Sequence, residues 1–364
     1  MKILIYTDPH FDAYGGNKHF LASMKSYFDN VIIPKCIETD ITTCICAGDF
    51  FNSRQSVSLK TLDYVNNDFI PTFERYGIHT FMIAGNHDVA YKNTNTVNSL
   101  SIFKRSPNFT VIDKSVSRET LGGREFVFCP WINSENETDV FNSLKDMAAD
   151  DVTLIGHFEI NGAPMYKNAS RCENGLNPEI LSNFKKVLSG HFHTPSVSSN
   201  IEYLGALFHL TWSCVGDWRG FVIYDTETDC YEKVENEYSL FTALSYSDYK
   251  DLTGDELYSL CNSQFVKLFI EDEISRVDAE TVKYDIEKCS PLKLDIVDLN
   301  IFKPTQNAKN VDVSDDIVYL GALDLFDLYV SENANAADEW VDAKALFAEY
   351  LEAANAEFRE SGGV

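Results

Sequence analysis

HTFMIAGNHD, residues 79–88, runs four apolar residues straight into Gly85-Asn86-His87-Asp88. A short apolar run bounded by polar and glycine signals reads as a buried strand. A strand that ends this way carries chemistry at its carboxyl end. The side-chain oxygen of Asn86 is a neutral metal ligand. The adjacent His87 can protonate a leaving oxygen or stabilise a phosphoryl transition state, and Asp88 can orient that imidazole. Outward from this stretch the same theme recurs in KILIYTDPH (2–10), TTCICAGD (42–49), VTLIGHFE (152–159) and KKVLSGHFH (185–193). Residues 18–38 and 58–76 hold apolar residues at spacings of three and four, which predicts helices between the early strands. Strand–helix alternation implies a layered α/β fold. Ligands of such sheets sit outside the carboxyl ends of the strands, where every one of these polar clusters falls.

Asp8 and His10 are read as alternating on an extended chain, with both side chains on one side; His191 and His193 are read the same way. Asp49 is a strand-end carboxylate able to bridge two ions. Glycine before His157 and before His191 lets backbone and side chain crowd a site. Singly, each has an ordinary explanation: a capping aspartate, an Asn-rich turn, a packed histidine. Together, five of the eight histidines join two further carboxylates and an asparagine at strand ends, and the ordinary explanations no longer cover the set. Imidazole and carboxylate ligands without thiolate suit Mn²⁺, Fe or Zn²⁺. Two such ions about 3.5–4 Å apart activate water and clamp both oxygens of an in-line displacement. That is hydrolysis of a phosphate ester.

The chain has 364 residues, more than one compact core usually holds. Apolar residues make up 45% and charged residues 24%, a globular composition. No apolar run approaches the roughly 18 residues of a membrane span. MKILIYTDPHF makes a poor signal peptide and a good first strand. Nine irregularly spaced cysteines are not a disulfide framework, so reduced thiols and a cytoplasmic setting are expected. The net charge is −26, of which −18 falls in residues 231–364. Tight nucleic-acid binding needs Lys and Arg at phosphates. Were DNA the substrate, bound metal ions or a basic partner would have to supply the attraction.

Residues 201–225 are expected to close the first domain, 1–230, with further strands. A small α/β cap is expected over 231–303. There Thr253 and Glu256 fit a capping box opening a helix at 254–262. Strands are expected at 264–271 and 291–299, and a helix at 277–289. Residues 304–337 have linker composition around a short element. An apolar stripe from Trp340 through Phe347 and Leu351 to Phe358 predicts a helix within 338–364.

The order Asp-x-His, Gly-Asp, Gly-Asn-His-Asp, Gly-His, Gly-His-x-His, spread over residues 8–193, resembles the calcineurin-like metallophosphoesterase superfamily. The resemblance implies a layered β-sandwich flanked by helices. It also implies one ion on Asp8, His10, Asp49 and His193 and a second on Asp49, Asn86, His157 and His191. His87 would be the catalytic imidazole, assisted by Asp88, and Mn²⁺ the expected metal. Phe50-Phe51, Pro130-Trp131, Phe158-Glu159 and Ser189–Thr194 are similar to the SbcD-type nuclease subunits. Trp218–Phe221 and Asp225–Thr228 are most similar to the recombination endonuclease subunit of T-even-like phages. That implies cleavage of DNA ends or hairpins, with an SMC-like ATPase, in recombination and double-strand-break repair. In a phage-encoded protein the setting would be the host cytoplasm. The C-terminal helix is the candidate docking element for the ATPase, with a helix packed on its own domain as the alternative. Residues 58–76 and 96–105 are candidate homodimer contacts, with core helices as the alternative. One departure stands out. Many relatives have a His three residues after the bridging Asp, tied to exonuclease action, and here that position is Asn52. The alternative function on the same core is a metallophosphatase for nucleotides or phosphoproteins, which the acidic charge favours. The complete ligand set argues against a non-enzymatic binding module.

Overall fold

A computed structural model describes residues 1–165, 171–271 and 274–299. The expected linker at 304–337 and the C-terminal helix at 338–364 lie outside the described residues. The chain divides into two compact units. The first comprises Met1–Leu210 and Gly216–Tyr238; the second comprises Thr211–Val215 and the described residues from Ser239 on.

The first unit is two six-stranded sheets face to face. In the first sheet the strands run, in spatial order, Cys230–Glu235, Gly220–Asp225, Lys2–Tyr6, Thr43–Cys46, His79–Ile83 and Phe109–Ile112. The last four are mutually parallel, and Gly220–Asp225 is antiparallel to Lys2–Tyr6. In the second sheet the order is Ser196–Ser198, Ile201–Tyr203, Lys186–Gly190, Val152–His157, Arg124–Cys129 and Ser117–Leu121. Its central strands are also parallel. Parallel strands are buried on both faces and read as unbroken apolar runs, which is why TCIC and TFMI carry no polar alternation. Ile3, Ile5, Ile45, Ile83, Phe126, Phe128, Ile155, Leu188 and Val222 form one cluster, from inner faces of both sheets. Helices cover the outer face of the first sheet, and Glu137–Met147 packs beside the second.

The helices expected at 18–38 and 58–76 are both interrupted. Each widens to a π turn, Phe28–Ile32 and Val65–Phe69, directly before an Ile-Pro pair, Ile33-Pro34 and Ile70-Pro71. Proline lacks an amide hydrogen, and its ring collides with the carbonyl four residues back. The amide of Ile33 bonds Phe28 O and that of Ile70 bonds Val65 O. This i→i−5 spacing of the π turn absorbs the extra bulk. Residues 96–105 are helical only in part: Thr94–Asn98 is a strand, and Ser99–Arg105 is a 3₁₀ helix that buries Leu100 and Phe103 in the core. A domain boundary at 230 would cut the strand Cys230–Glu235, which pairs along its whole length with Gly220–Asp225.

The second unit holds a three-stranded parallel sheet, Phe241–Ser245, Phe265–Ile270 and Lys293–Asp298. Gly254–Cys261 opens with the expected Thr253/Glu256 capping box, and Arg276–Lys288 is the second long helix. Phe241–Ser245 and the short helix Tyr246–Asp251 went unread in the sequence. Among the described residues no helix is long and apolar enough to cross a membrane.

The first unit has an aromatic heart. Phe69 is buried and lies within 4.5–6.3 Å, centroid to centroid, of Phe11, Phe28, Phe50, Tyr64, Phe73, Phe103 and Phe109. Truncating it leaves a void bounded by rigid rings that cannot collapse. Phe69→Ala is expected to lower unfolding stability by about 3–5 kcal/mol in urea denaturation; a loss under about 1 kcal/mol would mean that the cluster repacks.

Candidate metal centre

The strand Lys2–Tyr6 ends just before Thr7, and the chain then turns sharply. Asp8 (φ 51°), His10 (φ 47°), Asp49 (φ 51°) and His191 (φ 89°) all sit in the left-handed region. This corrects the extended alternation read for Asp8/His10 and His191/His193. The side chains converge because their backbones coil at strand ends. Left-handed backbone outside glycine costs on the order of 1–3 kcal/mol per residue, and Asp and His are among the types that tolerate it best. The turns are tied to one another. Asp8 N donates to Gly48 O at 3.0 Å, His10 N to Asp49 O at 3.2 Å and Phe11 N to Phe50 O at 2.8 Å. Phe11, Phe50 and Phe51 are fully buried and anchor both turns in the aromatic core.

Gly48 and Gly190 are among the glycines needed for close approach. Gly48 (φ 107°) lies under the His157 ring, which a Cβ there would penetrate. A Cβ on Gly190 would collide with Thr7 Oγ1 and with Ala47 O and His157 Nδ1.

The structure brings all eight residues singled out in the sequence into one place. Asp8 and His157 are fully buried, and His10 and Asp49 are 2% exposed. Each carboxylate has one oxygen held by the protein and one facing imidazoles. Asp8 Oδ2 accepts from Thr7 Oγ1 (2.6 Å) and His191 N (3.1 Å). Its Oδ1 has no hydrogen-bond partner, but lies 3.6 Å from His193 Nε2 and 3.7 Å from His10 Nε2. Asp49 Oδ1 accepts from His87 N at 2.7 Å. Its Oδ2 lies 3.2 Å from His157 Nε2 and 3.8 Å from His10 Nε2. Asn86 Oδ1 lies 3.1 Å from His157 Nε2 and 2.9 Å from His191 Nδ1. Asp8, His10 and His193 make one group with ligand atoms within 4.8 Å of one another; Asp8, Asp49 and His157 make another; His10, Asp49 and His87 make a third.

These donors fit divalent cations. His157 Nδ1 is 2.9 Å from the carbonyl of Ala47, which can only accept, so one ring proton sits on Nδ1 and Nε2 faces Asp49 and Asn86. Once Nε2 gives up its own proton, three acceptors meet with no hydrogen between them. Donor atoms that share one first-row ion at about 2.1 Å lie about 3 Å apart, the spacing seen here. Thr7 and the Ala47 carbonyl, which orient the inner residues, carry no signal in the sequence.

His87 is held differently from the expectation. Its Nδ1 donates to the backbone carbonyl of Asn52 at 2.6 Å, leaving Nε2 as the free nitrogen. Asp88 does not orient it. Instead Asp88 gathers the amides of Phe50 (3.2 Å), Phe51 (3.0 Å) and Gly85 (2.9 Å). Both of its oxygens are turned to these amides, and no hydrogen bond joins them to the His87 ring. Asp88 therefore positions the turn carrying Asp49.

The charges follow from this packing. Burial raises the carboxyls of Asp8 and Asp49, but the facing imidazoles, His157 foremost, overcome it and hold both well below the usual carboxylate range. Burial opposes charge on His157, yet Asp49 and Asp8 carry it up to about 9. Burial pushes His191 down to about 4 and also lowers His87. Burial and the Asp49 charge push Asp88 up to about 7, against the amides that favour its ionised form.

A metal ion binds neutral imidazole, so one that binds through His157 displaces a proton below pH 9. Affinity for divalent ions is expected to rise with pH, up to about tenfold per unit, with about one proton released between about pH 6 and 8. Calorimetry in buffers of different ionisation heats measures this; pH-independent affinity would refute it.

Residues 1–195, just over half of the chain, match the family model described as calcineurin-like phosphoesterase. All eight site residues fall in that span. A curated relative, exonuclease subunit 1 of Enterobacteria phage T4, is 29% identical over 317 residues, covering 85% of this chain and 87% of that protein. Among solved structures, a novel archaeal phosphodiesterase aligns with a TM-score of 0.34 at 14% identity, over 65% of this chain and 100% of its own. A protein of unknown function from Aquifex aeolicus aligns with a TM-score of 0.27 at 12% identity, over 54% of this chain and 82% of its own.

Proposed function

The chain belongs to the calcineurin-like phosphoesterase family, and from that premise we propose that it is a two-metal DNA nuclease hydrolysing phosphodiesters at DNA ends or hairpins. The observation that carries the reading is the convergence of eight side chains from five distant segments, Asp49 among them, into one cluster. The choice of DNA over a phosphorylated protein or nucleotide is supported by the relative of near-equal length that is named as an exonuclease subunit. One ion is assigned to Asp8, His10, Asp49 and His193, the other to Asp49, Asn86, His157 and His191, with Mn²⁺ as the metal of choice for this oxygen-and-imidazole set. Bound there, the pair supplies the Lewis acidity that phosphoryl transfer to water needs.

The chain's own residues do the rest. Asp49 belongs to both proposed ligand groups and would neutralise part of the charge in each. Thr7 and the amide of His191 fix the Asp8 carboxylate, while Ala47 fixes the tautomer of His157. Asn52, through its carbonyl, presents Nε2 of His87 to the opening of the site. Charged as an imidazolium, a state burial opposes and the nearby Asp49 charge favours, His87 gives its Nε2 proton to the leaving oxygen. The role of Asn52 here is made by backbone, so it does not depend on replacing the His that many relatives carry. We assign the finer biology on the same grounds: an SMC-like ATPase partner, docked through the segment 338–364, would bring the basic surface that a chain of net charge −26 lacks. A homodimer, a role in recombination and double-strand-break repair, a cytoplasmic setting, a capping role for the second unit, which resumes at Ser239, and a docking role for 338–364 complete the proposal.

His87→Ala is expected to lower cleavage of a hairpin or blunt duplex by about 10²–10⁴-fold, with Mn²⁺ affinity by calorimetry changed less than about threefold. EDTA is expected to abolish cleavage and Mn²⁺ to restore it. Full Mn²⁺ loading with no cleavage of any DNA, alone or with an ATPase partner, would defeat the nuclease reading.

A further inference from the structure

Asp8, His10, Asp49 and His157 are closed to solvent, but His87 and His191 are only partly buried and the His193 side chain is 36% exposed. The site therefore opens on the side of these three histidines, and a substrate phosphate must enter there. Among the described residues, Trp131 is an aromatic residue outside the ligand set that stands beside that opening. The indole of Trp131 lies 5.5 Å from the His191 ring, tilted by 37°, and 6.0 Å from the His157 ring. It is partly exposed, although it packs against the apolar core.

Its backbone is tied down on both sides. Trp131 N donates to Ala84 O at 2.8 Å, which fastens it to the strand that carries Asn86 and His87. Its carbonyl accepts from Asn95 Nδ2 at 2.7 Å and from Asn136 Nδ2 at 3.0 Å. Asn95 is buried and is fixed in turn by Asn133, at 2.8 Å. Three hydrogen bonds thus fix the backbone of Trp131, and its ring packs against the core and His191 on one side while part of it is left uncovered. Burying a large apolar ring is favourable, so a ring so placed with part of its surface in water is set to receive a ligand.

Resting on the nuclease reading, we propose that Trp131 is the stacking platform for a nucleobase next to the scissile phosphodiester, on the His191 side of the centre. The chemistry fits the charge of the chain. Stacking on an aromatic ring is sequence-tolerant and needs no cation, and it gives an acidic protein a grip on the strand that phosphate contacts cannot. Every base offers a π face, so the contact would select a polynucleotide over a phosphorylated protein without reading sequence.

The test is a cycle between protein and substrate, using the full-length chain loaded with Mn²⁺. The cleaved linkage of a duplex is mapped, and an abasic residue is placed in turn at each position flanking it. For the wild type, one position is expected to lose about tenfold in kcat/KM when its base is missing. Trp131→Leu keeps an apolar wall against His191 but removes the ring. It is expected to lose about tenfold on the intact duplex and nothing further on that abasic one. With 2-aminopurine at that position and Ca²⁺ in place of Mn²⁺, emission is expected to be quenched on binding the wild type and not on binding Trp131→Leu. Equal losses by Trp131→Leu on intact and abasic duplexes, with unchanged 2-aminopurine emission, would overturn the proposal and leave Trp131 as a prop for His191. If the wild type cleaves neither duplex, the nuclease reading itself fails and takes this one with it.

Discussion

Two carboxylates, Asp8 and Asp49, lie in the protein interior with less than a twentieth of their surface exposed, and neither charge would persist there alone. An isolated buried carboxylate gives up its charge or pulls in a counter-charge. Here the counter-charge is built from strand ends. The parallel strands deliver Asp8, Asp49 and Asn86 from one sheet and His157 and His191 from the other, all at carboxyl ends. The two-sheet sandwich is thus the frame in which a pair of acids can be kept ionised by imidazoles from the opposite layer. The acids are also what make the site selective for cations: with His157 carrying a proton in the ion-free protein, the centre is an ion pair poised for exchange.

Much of this frame could be read from residues alone. The parallel strands announce themselves as apolar runs, and each ends in the residue that matters. The capping box at Thr253 and Glu256 marked its helix to within a residue. What stayed hidden is mostly backbone. The carbonyls of Ala47 and Asn52, which orient His157 and His87, are the same atoms in any residue type and leave no mark in a sequence. Asp88 was matched to the nearest imidazole because side chains are visible in a sequence and amides are not; the three amides of Phe50, Phe51 and Gly85 claimed it instead. The strand Phe241–Ser245 went unread because FTALS mixes small and polar residues. Its identity comes from the Phe265–Ile270 strand it pairs with. The π turns were hidden for a related reason, since the apolar spacing continues through Pro34 and Pro71 while the hydrogen bonding does not.

The aromatic core and the candidate metal centre are one construction. Phe11 directly follows His10, and Phe50 and Phe51 are the next two residues after Asp49. The Phe11 and Phe50 rings stack at 4.9 Å, so the apolar contact closing the core also fixes the separation of the two turns. Apolar packing is non-directional, but the hydrogen bonds between the turns are not. Together they convert bulk burial into placement of ligand atoms.

The left-handed backbone at positions 8, 10, 49 and 191 has a consequence for anyone who would transplant this centre. Copying eight side chains onto another sandwich would not reproduce it, because ordinary strand ends aim those side chains elsewhere. Nor would relaxing the four positions to glycine help, since glycine brings no donor atom. Few residue types both accept that curvature and bind a cation, and aspartate and histidine are two of them. The transferable part is therefore the curved chain segment with its residue, and descent is expected to keep or discard the two as one.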